Sequence, residues 1–210
     1  MNDILIQKVV DTVLDKIKDL NFINVEASGR HIHLNKECMD ILFGNGYILE
    51  KQKDLSQPGQ YLCKEKVRIV GPKGFIERVA ILGPLRKNTQ VEVSLTDSKI
   101  LGINIPIRES GDLDNTPGIR IESEKSSIKI DKGVIVAKRH IHMTPKDAKK
   151  LNLKDLDIVK VQIMSNRKLI FDDVTIRVCD KYKTSMHIDY DEANACGYNK
   201  KVFAKIVKDI

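Results

Sequence analysis

The chain has 210 residues, of which 41% are hydrophobic and 5% aromatic, and it carries a formal net charge of +7. Its lysines and arginines are spread among 29 acidic residues, without a basic block or interleaved aromatic side chains, so we expect no nucleic-acid partner. The surplus charge indicates either a solvated surface or a pocket for an anionic small molecule. No apolar run approaches the roughly 18 residues of a transmembrane helix, so we expect no membrane partner. The four cysteines lack a disulfide-like spacing, which predicts reduced thiols in a cytoplasmic protein.

Residues 1–20 have the period of an amphipathic helix. Two interpretations stay open for this segment: a helix packed on the body of the protein, or a detachable peptide that docks on a partner. The apolar positions share one stripe: Ile6, Val9, Val10, Val13, Leu14, Ile17 and Leu20.

From residue 25 onward the pattern changes to short apolar segments separated by glycine and proline. Turn signals are clear at 57–60, QPGQ, and at 71–74, GPKG. Regularly spaced short strands with turns between them are typical of barrels and sandwiches, so the sequence predicts a mainly β fold with short helices.

An internal repeat organises the chain, because the tetrapeptide RHIH occurs at 30–33 and again at 139–142. A short apolar strand precedes each copy, and a helix start follows, with Asn35 and Thr144 as the expected N-caps. Residues 89–103 also align without a gap on residues 184–198. We therefore expect two similar small β-barrel domains from an internal duplication, plus the N-terminal amphipathic helix.

The repeat contains all five histidines of the chain. Alternate residues of a strand point to the same face, so the two histidines of each HIH project together. The alignment adds a third candidate ligand to each half, because Glu92 in the first half matches His187 in the second. Three nitrogen and oxygen ligands leave a tetrahedral zinc ion with one open position, which is the catalytic arrangement. The predicted metal ligands are His31, His33 and Glu92 in the first half, and His140, His142 and His187 in the second.

Other metal-site interpretations remain open. HIHLNKE, followed by six residues and Gly44, resembles the first motif of cupins, although Val25 stands where that motif begins with glycine and the second copy lacks the glutamate. Glu37 is better explained as a first-turn residue near the positive end of a helix dipole. The alternatives to the function below are a metal-dependent hydrolase and a cupin-like metal-binding protein.

Several longer motifs resemble the PduL-type phosphate acyltransferases, or phosphate propanoyltransferases, from residue 24 to about 198. The motifs are SGRHIHL, DLSQPGQY, VGPKG, LGPLRKNTQVEVSLTD, PIRESGDL, TPGI, GVIVAKRHIHMTP and MHIDYDEANACG. The resemblance implies two β-barrels with two zinc ions, and acyl transfer between coenzyme A and phosphate. It implies a first barrel over 30–137 and a second over 21–29 plus 138–210.

The resemblance also implies roles for individual residues. It assigns one zinc ion to each ligand set already predicted from the repeat, and phosphate contact to Arg86. It implies coenzyme A contacts at Ser28, Lys53, Leu82 and Asn194. A family arginine before the Leu-Gly-Pro turn is replaced here by Ala80, and Arg78 is the candidate substitute.

Partners and reaction course follow from the same resemblance. Residues 1–20 are expected to direct the protein into a bacterial microcompartment through shell or cargo proteins, and a homodimer is expected. The substrates are acyl-CoA, acyl phosphate and phosphate. We expect direct transfer without an acyl-enzyme, because the cysteines lie outside the repeated motifs and no base surrounds Ser28. Acetyl and propanoyl differ by one methylene, so the sequence leaves the acyl group open.

Overall fold

The computed structural model describes residues 2–19 and 21–207. By its internal contacts the chain divides into two compact units. One unit consists of Ala27–Lys138 with Ile188–Glu192 and is called the sheet unit below. The other consists of the remaining described residues and is called the barrel unit. The domain boundaries expected from the sequence stay a prediction.

Five helices and fifteen strands make up the described part of the chain. The helices are α1 Asn2–Asp19, α2 Lys36–Phe43, α3 Leu95–Leu101, α4 Pro145–Leu151 and α5 Tyr190–Ala195. The strands up to the second RHIH are β1 Phe22–Ala27, β2 His31–His33, β3 Lys51–Asp54, β4 Tyr61–Val70, β5 Phe75–Gly83, β6 Gln90–Glu92, β7 Ile107–Arg108, β8 Ile119–Glu122, β9 Ser127–Ile130 and β10 Val134–Ala137. The later strands are β11 His140–Met143, β12 Ile158–Met164, β13 Leu169–Val178, β14 Ser185–Ile188 and β15 Phe203–Val207. The predicted mainly β fold with short helices is confirmed.

The barrel unit is a closed barrel in the strand order β1-β14-β11-β13-β12-β15. Its first strand comes from before the first RHIH, and Ile23 pairs with Ala204 of the last strand. Closure leaves no unpaired sheet edge. The interior is aliphatic, as expected for a chain with few aromatic residues: Ile141, Val161, Ile163, Val174, Ile176 and Met186 are all fully buried.

The sheet unit is a nine-stranded sheet that forms a half-barrel. Its strand order is β7-β10-β6-β2-β5-β4-β8-β9, and β3 pairs with β4. The predicted turn at 71–74 joins β4 to β5, where the Gly71 amide donates to the Gly74 carbonyl over 2.8 Å. The core is again aliphatic, with Ile32, Ile69, Ile81 and Ile121 fully buried.

The two halves of the repeat form the same local arrangement. In each, the HIH strand runs parallel to one neighbour and antiparallel to another: β2 with β5 and β6, and β11 with β13 and β14. A capped helix follows, since Asn35 accepts from the Cys38 amide and Thr144 from the Asp147 amide. Both predicted N-caps are confirmed.

The helix α1 confirms the predicted N-terminal helix. The side chains described on it are exposed, including the apolar Leu5, Ile6, Val9, Val10 and Val13. The remaining positions of the predicted stripe, Leu14, Ile17 and Leu20, lie outside the described side chains. Among the described helices, none combines the length and apolar character needed to cross a membrane.

Candidate active site

The first histidine pair lies on β2, with its third predicted ligand on the neighbouring antiparallel strand β6. In this register His31 is directly opposite Glu92, and His33 is opposite Gln90. The residue between the histidines, Ile32, points the other way and is fully buried in the core. Strand alternation therefore separates ligand-type side chains on one face from packing side chains on the other.

The side chains of His31, His33 and Glu92 converge. Their nearest ligand atoms all lie within 4.8 Å of one another. The Nε2 atom of His31 is 3.4 Å from Oε2 of Glu92, and the Nε2 atom of His33 is 4.0 Å from Oε1. Both histidines are buried, and the Glu92 side chain is 12% exposed. The structure thus brings together the three residues that the sequence singled out in the first half.

The electrostatics of this group keep its carboxylate ionised. Burial raises the pKa of Glu92, but the charge and hydrogen bond of His31, together with the Arg86 charge, outweigh burial and hold that pKa far below its usual value. Burial lowers the pKa of His31, whereas the Glu92 charge and hydrogen bonds to Glu92 and Gly29 raise it above 6.5 overall. For His33, burial and the charges of His31 and Arg86 lower the pKa to about 3. His33 is therefore a neutral imidazole, the form that binds metals.

The donor set fits a divalent cation. The carbonyl of Gly29 lies 2.8 Å from Nδ1 of His31 and accepts a hydrogen bond from it. In the neutral ring this tautomer leaves Nε2, the nitrogen that faces Glu92, as the one that can bind a cation. Metal-binding histidines commonly donate their second nitrogen to a carbonyl in this way. Imidazole nitrogens combined with one carboxylate are ligands that zinc prefers.

An arginine and a cavity adjoin this group within the sheet unit. Arg86 lies in the loop between β5 and β6, and its backbone amide donates to the Leu34 carbonyl over 2.9 Å. Its Nη1 donates to Ser110 Oγ over 3.1 Å. The cavity has a volume of about 300 Å³. Its lining residues are His33, Pro58, Gly59, Gln60, Gly83, Pro84 and Arg86.

The second histidine group has the same strand register. On β11 and β14, His140 is opposite His187 and His142 is opposite Ser185. The Nε2 atoms of His140 and His142 are 3.2 Å apart. The His187 ring stacks nearly parallel to that of His140, with centroids 5.3 Å apart, and lies 4.9 Å from that of His142. The barrel unit therefore collects the three histidines predicted in the second half.

One histidine of this second group is also in the neutral form that binds metals. Burial and the charges of His140 and His187 lower the pKa of His142 to about 2, so its imidazole is neutral. The facing Nε2 atoms of His140 and His142 can form one hydrogen bond between neutral rings, because each neutral ring has one donor and one acceptor nitrogen.

The residues predicted to contact coenzyme A are distributed over both units. Ser28 is half-buried, and its amide donates to the Ile188 carbonyl over 2.8 Å. Lys53 is exposed on β3, and Leu82 is half-buried on β5; these three residues belong to the sheet unit. Asn194 is exposed on α5 and belongs to the barrel unit. Their coenzyme A roles stay predictions.

Two further residues of the site were missed in the sequence. Gln90 precedes Glu92 by two positions on β6, and its amide contacts the Glu92 carboxylate. Ser110 lies in the quoted motif PIRESGDL, and its hydroxyl donates to the same carboxylate over 3.1 Å. Strand alternation could have indicated Gln90, because positions 90 and 92 share a face. No local pattern indicates Ser110, since its place depends on how a distant loop folds back.

The mainly β fold thus gathers two buried histidines and a largely buried glutamate, which could hold a metal ion, in the same unit as Arg86. A family model for phosphate propanoyltransferase matches residues 24–199. The chain is 58% identical to the phosphate propanoyltransferase of Clostridioides difficile (strain 630), covering 97% of this chain and 98% of that protein. It is 54% identical to the phosphate propanoyltransferase of Listeria monocytogenes, with 99% and 98% covered. For that of Thermotoga maritima the identity is 50%, with 95% and 99% covered.

These matches run through both histidine groups. The chain belongs to the phosphate propanoyltransferase family, and it is an acyltransferase. The family resemblance inferred from the sequence motifs is confirmed.

Proposed function

We propose that the protein interconverts acyl-CoA plus phosphate with acyl phosphate plus coenzyme A. The observation that carries the proposal is the buried group of His31, His33 and Glu92 with the Arg86 charge beside it. The relatives share about half of their residues with this chain over nearly full length. Their names support the same reaction.

The two ligand groups are proposed to hold one zinc ion each. His31, His33 and Glu92 hold the first, and His140, His142 and His187 hold the second. A bound zinc ion supplies a Lewis acid and lowers the pKa of a coordinated thiol or water. Burial lowers the pKa of His33 and of His142, so these two ligands are neutral and can bind a metal ion without first losing a proton.

Arg86 is proposed to bind the phosphate substrate. Its guanidinium is a planar fork of donors that matches phosphate oxygens, and it is always charged. One donor is anchored on Ser110, which fixes the plane of the fork. The 300 Å³ cavity beside Arg86 and His33 is large enough for a phosphate ion. Fixing the anion there lowers the entropy cost of bringing it to the acyl carbon.

The transfer is proposed to be direct. A phosphate oxygen forms a bond to the acyl carbonyl carbon, the carbon–sulfur bond breaks, and coenzyme A leaves as a thiolate. No residue of the chain becomes acylated. Ser28, Lys53, Leu82 and Asn194 are proposed to bind coenzyme A.

The acyl group is proposed to be propanoyl, because the relatives are named phosphate propanoyltransferases. Acetyl is the competing substrate, and one methylene contributes only about 1–3 kcal/mol of discrimination. A comparison of kcat/KM for the two acyl-CoA esters decides between them.

Phosphate dependence of thiol release tests the reaction itself. Purified, zinc-loaded protein is mixed with propanoyl-CoA, and free thiol is followed with and without inorganic phosphate. Transfer requires phosphate and yields acyl phosphate, which hydroxylamine traps as a hydroxamate. Equal thiol release without phosphate would instead identify a metal-dependent hydrolase. Tight metal binding without thiol release would identify a cupin-like binding protein.

The helix α1 is proposed to direct the protein into a bacterial microcompartment. Its exposed apolar stripe at Leu5, Ile6, Val9 and Val13 supports docking on shell or cargo proteins. A fluorescent protein fused to residues 1–20 should colocalise with shells, and the same fusion carrying Val9→Glu should not. A diffuse signal from both fusions contradicts the proposal. The homodimer stays a prediction, tested by the mass of the purified protein in solution.

A further inference from the structure

Gln90 is a buried polar residue two positions before the proposed zinc ligand Glu92. It begins β6, is only 1% exposed, and shares a strand face with Glu92. A buried amide must satisfy its donors and its acceptor within the protein, so its partners fix its orientation.

The orientation of the Gln90 amide is determined by a backbone group. Its Oε1 accepts from the Gly111 amide over 2.8 Å, and a backbone N–H can only donate. The Nε2 group must therefore face the other way. There it donates to Glu92 Oε1 over 2.5 Å and to Ser110 Oγ over 2.9 Å.

Ser110 connects this amide to the proposed phosphate-binding arginine. A hydroxyl has one proton to donate and two lone pairs that accept. The Ser110 hydroxyl donates to Glu92 Oε1 over 3.1 Å and accepts from Gln90 and from Nη1 of Arg86. Its hydrogen-bonding capacity is thereby filled. A chain of hydrogen bonds therefore runs from the Glu92 carboxylate through Ser110 to the Arg86 guanidinium. Gln90 donates to two of these groups, the Glu92 carboxylate and the Ser110 hydroxyl.

We propose that Gln90 is a positioning residue that fixes the Arg86 guanidinium relative to the Glu92 carboxylate through Ser110, and thereby sets the affinity for inorganic phosphate. The inference rests on the proposed function, since it takes Arg86 as the phosphate contact. It goes beyond that function by assigning phosphate affinity to an amide that does not itself touch the substrate.

The same position is also polar in the second half of the repeat. Ser185 aligns with Gln90, is 1% exposed, and lies with its Oγ 3.0 Å from Nε2 of His187. In both units a buried polar side chain two residues before the third proposed ligand contacts that ligand. Such contacts to ligating side chains orient them and tune the site.

Two substitutions separate positioning from packing. Gln90→Met keeps the approximate volume but removes all hydrogen bonds of the amide. Gln90→Glu keeps an oxygen for the Gly111 amide but replaces the donor by an acceptor facing Glu92. Both variants lose hydrogen bonds to a charged carboxylate, so we expect phosphate affinity to fall about tenfold or more in each.

The measurement is isothermal titration of the zinc-loaded protein with inorganic phosphate and, separately, with coenzyme A. Positioning predicts a raised Kd for phosphate, with the Kd for coenzyme A within about twofold of wild type. Gln162→Met is the matched control, because Gln162 lies on β12 and pairs with Ile170 and Lys205 in the barrel unit. Its phosphate affinity should stay unchanged.

Ser110→Ala completes the experiment. If Gln90 acts through Ser110, the double variant Gln90→Glu with Ser110→Ala loses less affinity than the two single losses combined. If Gln90→Met does not fold, Gln90→Glu, Ser110→Ala and their double variant test the proposal. Losses of phosphate affinity that add up in the double variant would contradict a role of Gln90 through Ser110.

Two outcomes overturn the proposal: a phosphate Kd unchanged in folded Gln90→Glu, or equal weakening of both ligands, which would show a purely structural role. Failure of the proposed function is a separate result, because it appears in the wild type as thiol release independent of phosphate. Wild-type protein that does not bind phosphate would overturn both.

Discussion

His31 lies directly across a strand pair from Glu92, with its Nε2 atom 3.4 Å from the carboxylate. The same cross-strand relationship joins His140 to His187 in the second half of the repeat. Residues directly opposite in an antiparallel pair have close Cβ atoms, so both ligand groups depend on register. A slip by one residue would turn each histidine pair into the core.

Removing one histidine from either group should abolish transfer. In His31→Ala or His140→Ala, two ligand side chains remain in the affected group, and we expect about one zinc ion fewer per chain with loss of measurable turnover. Metal content by mass spectrometry and the thiol-release assay measure the two effects.

The carboxylate of the first group offers a finer change. Glu92→Gln removes the charge with little change in shape and should lower zinc content in the same way as His31→Ala. The control is Glu77→Gln, because Glu77 is exposed on β5 and its ion pair with Arg68 is long, at 3.9 Å. Full activity with full metal content in His31→Ala would refute the shared role of these residues.

Loss of the Arg86 side chain should impair phosphate use more than metal binding. In Arg86→Ala we expect the KM for phosphate to rise about tenfold to a hundredfold, because a charged hydrogen-bonding partner is lost. Zinc content should stay at the wild-type level, since Arg86 is not a ligand. The matched control is Arg120→Ala, an exposed arginine paired with Glu122 on β8. Loss of zinc from Arg86→Ala would assign the arginine a structural role instead.

Chelation of the metal should destabilise the protein. A ligand that binds only the folded state stabilises it by about 2.7 kcal/mol when present at a hundred times its Kd. We expect a lower Tm after dialysis against a strong chelator, and recovery when zinc is restored. If chelation removes all zinc from the wild type and its Tm does not change, the metal does not bind to side chains that only the folded protein brings together.

The isoleucine between the two histidines should contribute to stability. Ile32 and Ile141 are fully buried, and Ile→Val in a core costs about 1 kcal/mol. For a protein of this size that cost lowers Tm by about 2–4 °C. Ile107→Val, at a position 51% exposed, is the same substitution without burial and should leave Tm unchanged. Thermal scans of the three variants check this, and an equal effect at all positions would contradict it.

Deletion of residues 1–20 should leave turnover intact. The side chains described on α1 are exposed, so their removal uncovers little of the core. We expect kcat and KM within about twofold of wild type, and an unchanged Tm by the same thermal scan. An inactive or strongly destabilised truncation would show that the helix packs on the body of the protein.

The sequence by itself determined the repeat and predicted which side chains make up the two proposed ligand groups. Identical HIH strands, their capped helices and the alignment of Glu92 with His187 are local patterns, and strand alternation is enough to place the histidines on one face. The longer motifs also identified the family. The contacts assigned to coenzyme A depend on that resemblance alone.

Only the tertiary structure decided which residues support the ligands. Ser110 lies 18 residues beyond Glu92, and its hydroxyl reaches both the carboxylate and Arg86 because the loop after β7 folds back over β6. The closure of one unit into a barrel was likewise decided by long-range pairing, with β1 beside β15 at the opposite end of the chain. Local propensity carries no information about such contacts, because they join segments that are far apart in the sequence. These segments meet only when the whole chain folds around its core.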